Sequence, residues 1–147
     1  MFSRTAEYAL RAMVWLAEKH GLPQTTQQIA AASQAPPDYL AKVLQLLGRA
    51  GLVRAHRGLH GGFSLARPPE RLTILQIVNA VDPIRRISEC PLQLDAHAVH
   101  LCPLHRRLDE AMAMIEKALA SSTLAELIEA PAGSQPLCNV SAAGAEA

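Results

Sequence analysis

Aromatic side chains are scarce in this sequence, at 3% of its 147 residues. Sheet proteins draw heavily on aromatic and β-branched side chains, whereas alanine and leucine abound here, so a mainly α fold is expected. Long apolar runs are missing as well. No stretch approaches the length needed to cross a bilayer, and the opening MFSRTAEYAL carries charges where a secretion signal keeps a clean apolar segment. A cytoplasmic protein without a membrane span is expected. Cysteine is sparse and odd in count, at three. In a reducing compartment that argues against a disulfide framework and towards ligation or redox chemistry. Nor does the chain set a nucleophile, a base and oxyanion donors at a recognisable spacing, and no enzyme is expected.

What is present is half hydrophobic, enough for one core and its appendages. The net charge of only +1 hides an asymmetry: residues 1–71 hold nine Lys/Arg against four Asp/Glu, and the remainder five against nine. A basic front half suits a polyanionic partner.

Apolar residues at Leu10, Met13, Leu16 and Ala17 make a helical stripe that Ser3 or Thr5 can cap and that Gly21-Leu22-Pro23 ends. Thr25 and Gln28 have capping-box spacing and open a short second helix to about Ala32. Pro36-Pro37 suits the first turn of a third, with Leu40, Val43, Leu44 and Leu47 inward and Lys42, Gln45 and Arg49 outward, stopping at Gly51. This is a helix-turn-helix pattern. Leu52-Val53-Arg54 and Phe63-Ser64-Leu65 read as short strands around a glycine-rich tip from Arg57 to Gly62, which completes a winged helix. Thr73 caps a helix to Val81. From Pro103 to about Ser121 a long helix carries Leu104, Leu108, Ala111, Ile115, Ala118 and Leu119, a seam suited to a partner helix, hence a homodimer. Thr123 and Glu126 cap a last short helix. The expected organisation is a DNA-binding domain at 1–83, a cysteine/histidine loop at 84–102, a dimerisation and terminal helix at 103–130, and a disordered tail at 131–147 that holds Cys138.

A recognition helix entering the DNA major groove would bring Asp38, Tyr39 and Lys42 to base edges, with Thr26, Gln27 and Gln28 near phosphates. Arg57 and His60 on the thin hairpin tip suit a narrow minor groove. A solvated helix face and a plain tight turn are the alternatives. Between Cys90 and Glu110, CPLQLDAHAVHLCPLHRRLDE gathers two cysteines and three histidines. Cys102 sits at a helix start with His105 one turn on, and His97 and His100 lie close by. Zinc or an iron-sulfur cluster of mixed ligation is chemically open, as is a solvated loop that binds nothing.

TAEYALRAM, DYLAKVLQLLGRAGLVRAHRGLHGGFSLAR, ILQIVNAVD, the loop opening at Cys90, CPLH and TLAELI together resemble the Rrf-two family of bacterial transcriptional regulators, over about residues 1–128. The resemblance implies a homodimer that reads a near-palindromic promoter site in double-stranded DNA and senses through a loop-bound cluster. It puts Tyr39 and Lys42 on recognition-helix positions, Arg57 on the wing arginine, and Cys90 and Cys102 on the first and last cluster cysteines. His105 matches the family's Cys-x-x-His ending, and Glu7 matches an acidic ligand supplied across the dimer. The middle cysteine of three-cysteine members falls near Ala96 here, with only His97 and His100 as replacements. A 2Fe-2S cluster on Cys90, Cys102 and a histidine or Glu7 is therefore favoured, with zinc or no metal as alternatives. The leading expectation is a regulator, a repressor in the first instance, reporting cluster, redox or nitric oxide status. A zinc or thiol-switch regulator, and a metal carrier that uses the winged helix for protein contacts, stand behind it.

Overall fold

The chain forms six α-helices, two short 3-10 turns and one hairpin in the computed structural model, which describes residues 2–97, 100–131, 134, 136 and 137, without the His97 side chain. Helix α1 spans Arg4–Glu18, α2 Thr26–Ser33, α3 Pro37–Arg49, α4 Ile74–Val81, α5 Pro103–Ser121 and α6 Leu124–Ile128; strand β1 is Val53–His56 and β2 Gly62–Leu65.

α1 is the central post. Ser3 caps it by accepting from Ala6 N, and its buried side is mostly small: Ala6, Ala9, Ala12 and Ala17 beside Met13 and Leu16. Small residues let α2, α4 and α6 approach closely. α2 and α4 each begin with a full capping box, Thr25 with Gln28 and Thr73 with Gln76. Each cap satisfies two N–H groups that a helix start leaves orphaned, a contribution of about 1 kcal/mol. The turn between α2 and α3 is short because Gln34 takes the left-handed conformation (φ 54°) and closes α2 onto Ala30 and Ala31 carbonyls. α3 then buries Leu40, Val43, Leu44 and Leu47. These join Met13, Leu16, Ile29, Leu72 and Leu124 in one core, each fully enclosed leucine contributing roughly 1.5–3 kcal/mol.

The hairpin is antiparallel, pairing Val53 with Leu65 and His56 with Gly62. β1 begins one residue later than the apolar pattern suggests and runs on through His56, because the ladder continues until the glycine-rich tip. Near its tip β2 is also held by Gln24, whose N–H donates to Phe63 O at 2.9 Å and whose carbonyl accepts from Phe63 N at 2.7 Å. Gly62 is required there: at φ 143°, a Cβ would lie 2.3 Å from Gln24 O.

α6 is tied to the segment before α4 by a bridge between Thr73 and Thr123, with Ile74 N donating to Ser122 O and Leu124 N to Leu72 O. α5 differs from every other helix of three turns or more. None of its residues is buried. Leu119 packs on Ala6, Ile74 and Val78, while Leu104, Leu108 and Met114 are 64%, 48% and 71% exposed. Of the tail expected to lack structure, Leu137 packs against the main core, and most of the rest, Cys138 included, lies outside the described residues.

Candidate nucleic-acid interface and thiol loop

α3 turns Asp38, Tyr39 and Lys42 to solvent because they are out of phase with its leucine stripe. Tyr39 does not hang free. Its hydroxyl pairs with Thr5 Oγ1, and its ring meets Tyr8 edge-on with centroids 5.9 Å apart. Arg4, Tyr8, Pro36, Asp38, Tyr39 and Lys42 line a cleft of about 470 Å³ between the starts of α1 and α3. Arg11 extends the brace: it pairs with Glu7 one turn back and donates to Ser33 O at 3.3 Å at the end of α2. α1 thus orients α3, a contribution that sequence reasoning missed. The signal was the polar row Arg4, Tyr8, Arg11 at helical spacing on α1.

On α2, Thr26 is half-buried and Gln27 and Gln28 are exposed. Gln28 Oε1 accepts from Thr25 N at 2.8 Å, so that side chain is occupied as a cap before it meets any phosphate. Arg57 and His60 are exposed at the wing tip. From Val53 to Arg67 the hairpin holds three arginines and two histidines and no acid. Lower on the wing, His56 Nε2 and Ser64 Oγ lie 2.7 Å apart and lock the two strands.

Behind this face, α5 organises the thiols. Cys102 is its N-cap residue, and Cys102 Sγ stands 3.2 Å from His105 Nδ1. Twelve residues earlier, Cys90 is buried, with its carbonyl accepting from Gln93 N in a turn. The approach to Cys90 is clamped. Arg86 Nε and Nη2 donate to the two Asp109 oxygens at 2.7 and 2.6 Å, Nη1 donates to Glu116 at 3.2 Å, and Ile87 N donates to Asp109 Oδ1 at 2.9 Å. The Arg86 hydrogen bonds, then that of Ile87, hold the Asp109 carboxyl below the usual carboxylate range. Both thiols are therefore positioned from one helix, Cys102 as its N-cap and Cys90 by a segment fastened to its second and fourth turns. Arg86 was not singled out from sequence, since an arginine outside a helix does not announce which acid it will reach.

A sulfur and an imidazole nitrogen bound to one tetrahedral ion lie about 3.5 Å apart, given ordinary zinc bond lengths. The Cys102–His105 pair comes close to that edge and fits half of a mixed donor set. Among the described residues, no group of three or more His, Cys, Asp or Glu is gathered. Glu7, on α1, is engaged by Arg11 instead, and His100 is exposed. The His97 side chain lies outside the described residues. No helix among the described residues is long and apolar enough to cross a membrane.

A family model, Rrf2, described as an iron-dependent transcriptional regulator, matches residues 2–130. The chain is 30% identical over 131 residues to an Aquifex aeolicus protein named as an HTH-type transcriptional regulator, spanning 87% of this chain and 91% of that one. It is 35% identical over 130 residues to a similarly named Mycobacterium tuberculosis protein, spanning 85% and 79%. Among solved structures it resembles IscR of T. potens, with a TM-score of 0.71 and 25% identity over 88% of this chain and 86% of that one. It also resembles CymR, the global cysteine regulator of B. subtilis, with a TM-score of 0.70 and 26% identity over 86% and 95%. The helix-turn-helix, the hairpin wing and the match across nearly the whole chain agree: this protein belongs to the Rrf2 family of transcriptional regulators and is not an enzyme.

Proposed function

We propose that this regulator is a cytoplasmic homodimer that grips promoter DNA through α3 and the wing and senses through an iron-sulfur cluster held at the start of α5. The observation that carries the sensing part is the Cys102–His105 pair, 3.2 Å apart on the first turn of α5. Cys90, buried and fastened to the same helix through Arg86, supplies a further thiolate. Across the dimer, the partner's Glu7 completes the set once it leaves its ion pair with arginine. Two thiolates, one imidazole and one carboxylate make a less negative site than four thiolates, which suits a 2Fe-2S cluster of raised potential. The cluster supplies a reversible one-electron and nitric-oxide-reactive centre when bound.

The chain's own residues do the rest. Asp38, Tyr39 and Lys42 face base edges, Thr26 and Gln27 approach phosphates, and Arg57 with His60 enters the minor groove. Leu104, Leu108, Ala111 and Met114, left uncovered on α5, pair with the same face of a second copy. Occupancy of the site moves α5 through the Arg86 clamp, and α5 packs on α4 and α1, which carries the brace on Tyr39. That chain of contacts supports coupling between two sites.

The second reading is a cluster-free regulator controlled by zinc or thiol oxidation. The likeness to CymR, a cysteine regulator, supports it. Anaerobic purification with absorption spectroscopy and iron, sulfide and zinc analysis separates the two. We expect visible charge-transfer bands that vanish in Cys102→Ala; colourless protein with stoichiometric zinc and no iron would establish the second reading.

A further inference from the structure

We propose that Leu59, at the apex of the wing, is an apolar wedge that enters the DNA minor groove and packs against deoxyribose and base-step edges. The proposal rests on the reading that the winged half binds DNA. Leu59 is 95% exposed, more than any other large hydrophobic side chain among the described residues. It stands on a closed turn, in which Gly61 N donates to Gly58 O at 3.0 Å. The turn has no slack: a Cβ on Gly61 would lie 2.5 Å from His56 O and 2.9 Å from Gly58 O. Just beyond, Gly62 lies close against the Gln24 carbonyl and Phe63 is hydrogen-bonded to Gln24 in both directions. The leucine is thus presented by a rigid, narrow tip and loses little freedom when it docks.

What could cover it is limited by its surroundings. The hairpin from Val53 to Arg67 carries Arg54, Arg57, Arg67, His56 and His60 with no acid, so a second basic wing would repel it. A protein partner would need a contiguous apolar patch, and Leu59 is alone among polar and glycine residues at the tip. The exposed leucines of α5 make the contrast, because they share one helix face. A polyanion with an apolar inner wall fits both properties. The minor groove is about 6 Å wide, which a tip built of Gly58, Gly61 and Gly62 can enter, and leucine is among the side chains that wedge between base steps there.

The test uses full-length protein and a duplex of about 30 base pairs recovered by the wild type from a random pool, titrated at several salt concentrations. Leu59→Ala is expected to weaken binding roughly tenfold with the salt slope unchanged, since an apolar contact releases no counterions. Arg57→Ala is expected to weaken binding and flatten the slope by about one phosphate per wing. The melting temperature of Leu59→Ala should match the wild type. 2-Aminopurine placed at the step under the wing should brighten with the wild type and stay quenched with Leu59→Ala. Wild-type affinity in Leu59→Ala while Arg57→Ala is weakened would overturn the wedge alone and leave the DNA reading standing. A loss accompanied by the slope change of Arg57→Ala would also overturn it. A wild type that enriches no duplex at all would defeat the DNA reading and the wedge together.

Discussion

The front and rear of this molecule solve opposite problems. Residues 2–81, closed by α6, enclose most of their apolar surface: α1, α3 and α4 bury leucines, alanines and isoleucines around Met13 and Leu16, and capping boxes satisfy the starts of α2 and α4. α5 buries nothing completely and leaves Leu104, Leu108 and Met114 to solvent. The chemistry follows the same division. The wing and α3 present a mainly polar surface with Leu59 at its apex, whereas in the thiol loop the described residues bring Cys102 and His105 together. A largely enclosed front and an open face on α5 suit a protein whose rear is finished by a second copy and a bound group.

Breaking the front should cost most. Leu44 is fully buried in α3, and Leu44→Ala should destabilise the fold by about 2–5 kcal/mol in chemical denaturation, through lost transfer energy and the cavity left behind. On the rear helix a harsher change should leave the protomer folded and act on association. Leu108→Asp is expected to shift sedimentation from dimer to monomer at micromolar protein, with circular dichroism preserved, because Leu108 is half-exposed within one chain. If Leu108→Asp unfolds the protomer, the contrast between the halves is wrong. Gly62→Ala comes next. Its Cβ would press on Gln24 O at 2.3 Å, so the wing should detach from Gln24 at a cost of about 1–3 kcal/mol, read as faster amide exchange at Phe63.

The smallest effect concerns the clamp. Asp109 has its folded-state pKa lowered by the Arg86 and Ile87 hydrogen bonds. The linkage sign follows: its contribution is present above the ordinary carboxylate pKa and is lost as pH falls through the lower folded value. The pair is solvent-accessible, so the effect on global stability is slight. Exchange at the Ile87 amide should rise beyond its intrinsic pH trend on acidification below about pH 4 in the wild type. Asp109→Asn should be high and without that step across the range.

Much of this was legible in the sequence. Thr25 with Gln28, Thr73, and Pro36-Pro37 carry their helix starts in residue type: both threonine caps appear as expected, and α3 starts at Pro37 without a side-chain cap. Arg57 and Gly62 announce a hairpin tip by charge and by backbone need. The α1 brace was harder, because Thr5 and Tyr39 are thirty-four positions apart and only folding makes them neighbours. Arg86 was invisible for the same reason: its acids lie twenty-three and thirty residues on, and no local period links them. The donor set of the loop was read as residue types, but type does not reveal distance. Cys102 and His105 share one helical turn and meet, while Glu7 folds towards Arg11.

Occupancy of the rear site governing the grip in front is best tested by DNA affinity on one preparation in two states. Protein purified without oxygen should be titrated against a duplex selected from a random pool, before and after its iron is removed by a chelator, at matched salt. We expect the two dissociation constants to differ by at least about fivefold, the lower end of ordinary coupling between sites. Equal constants, from protein shown to have carried and lost its iron, would contradict it.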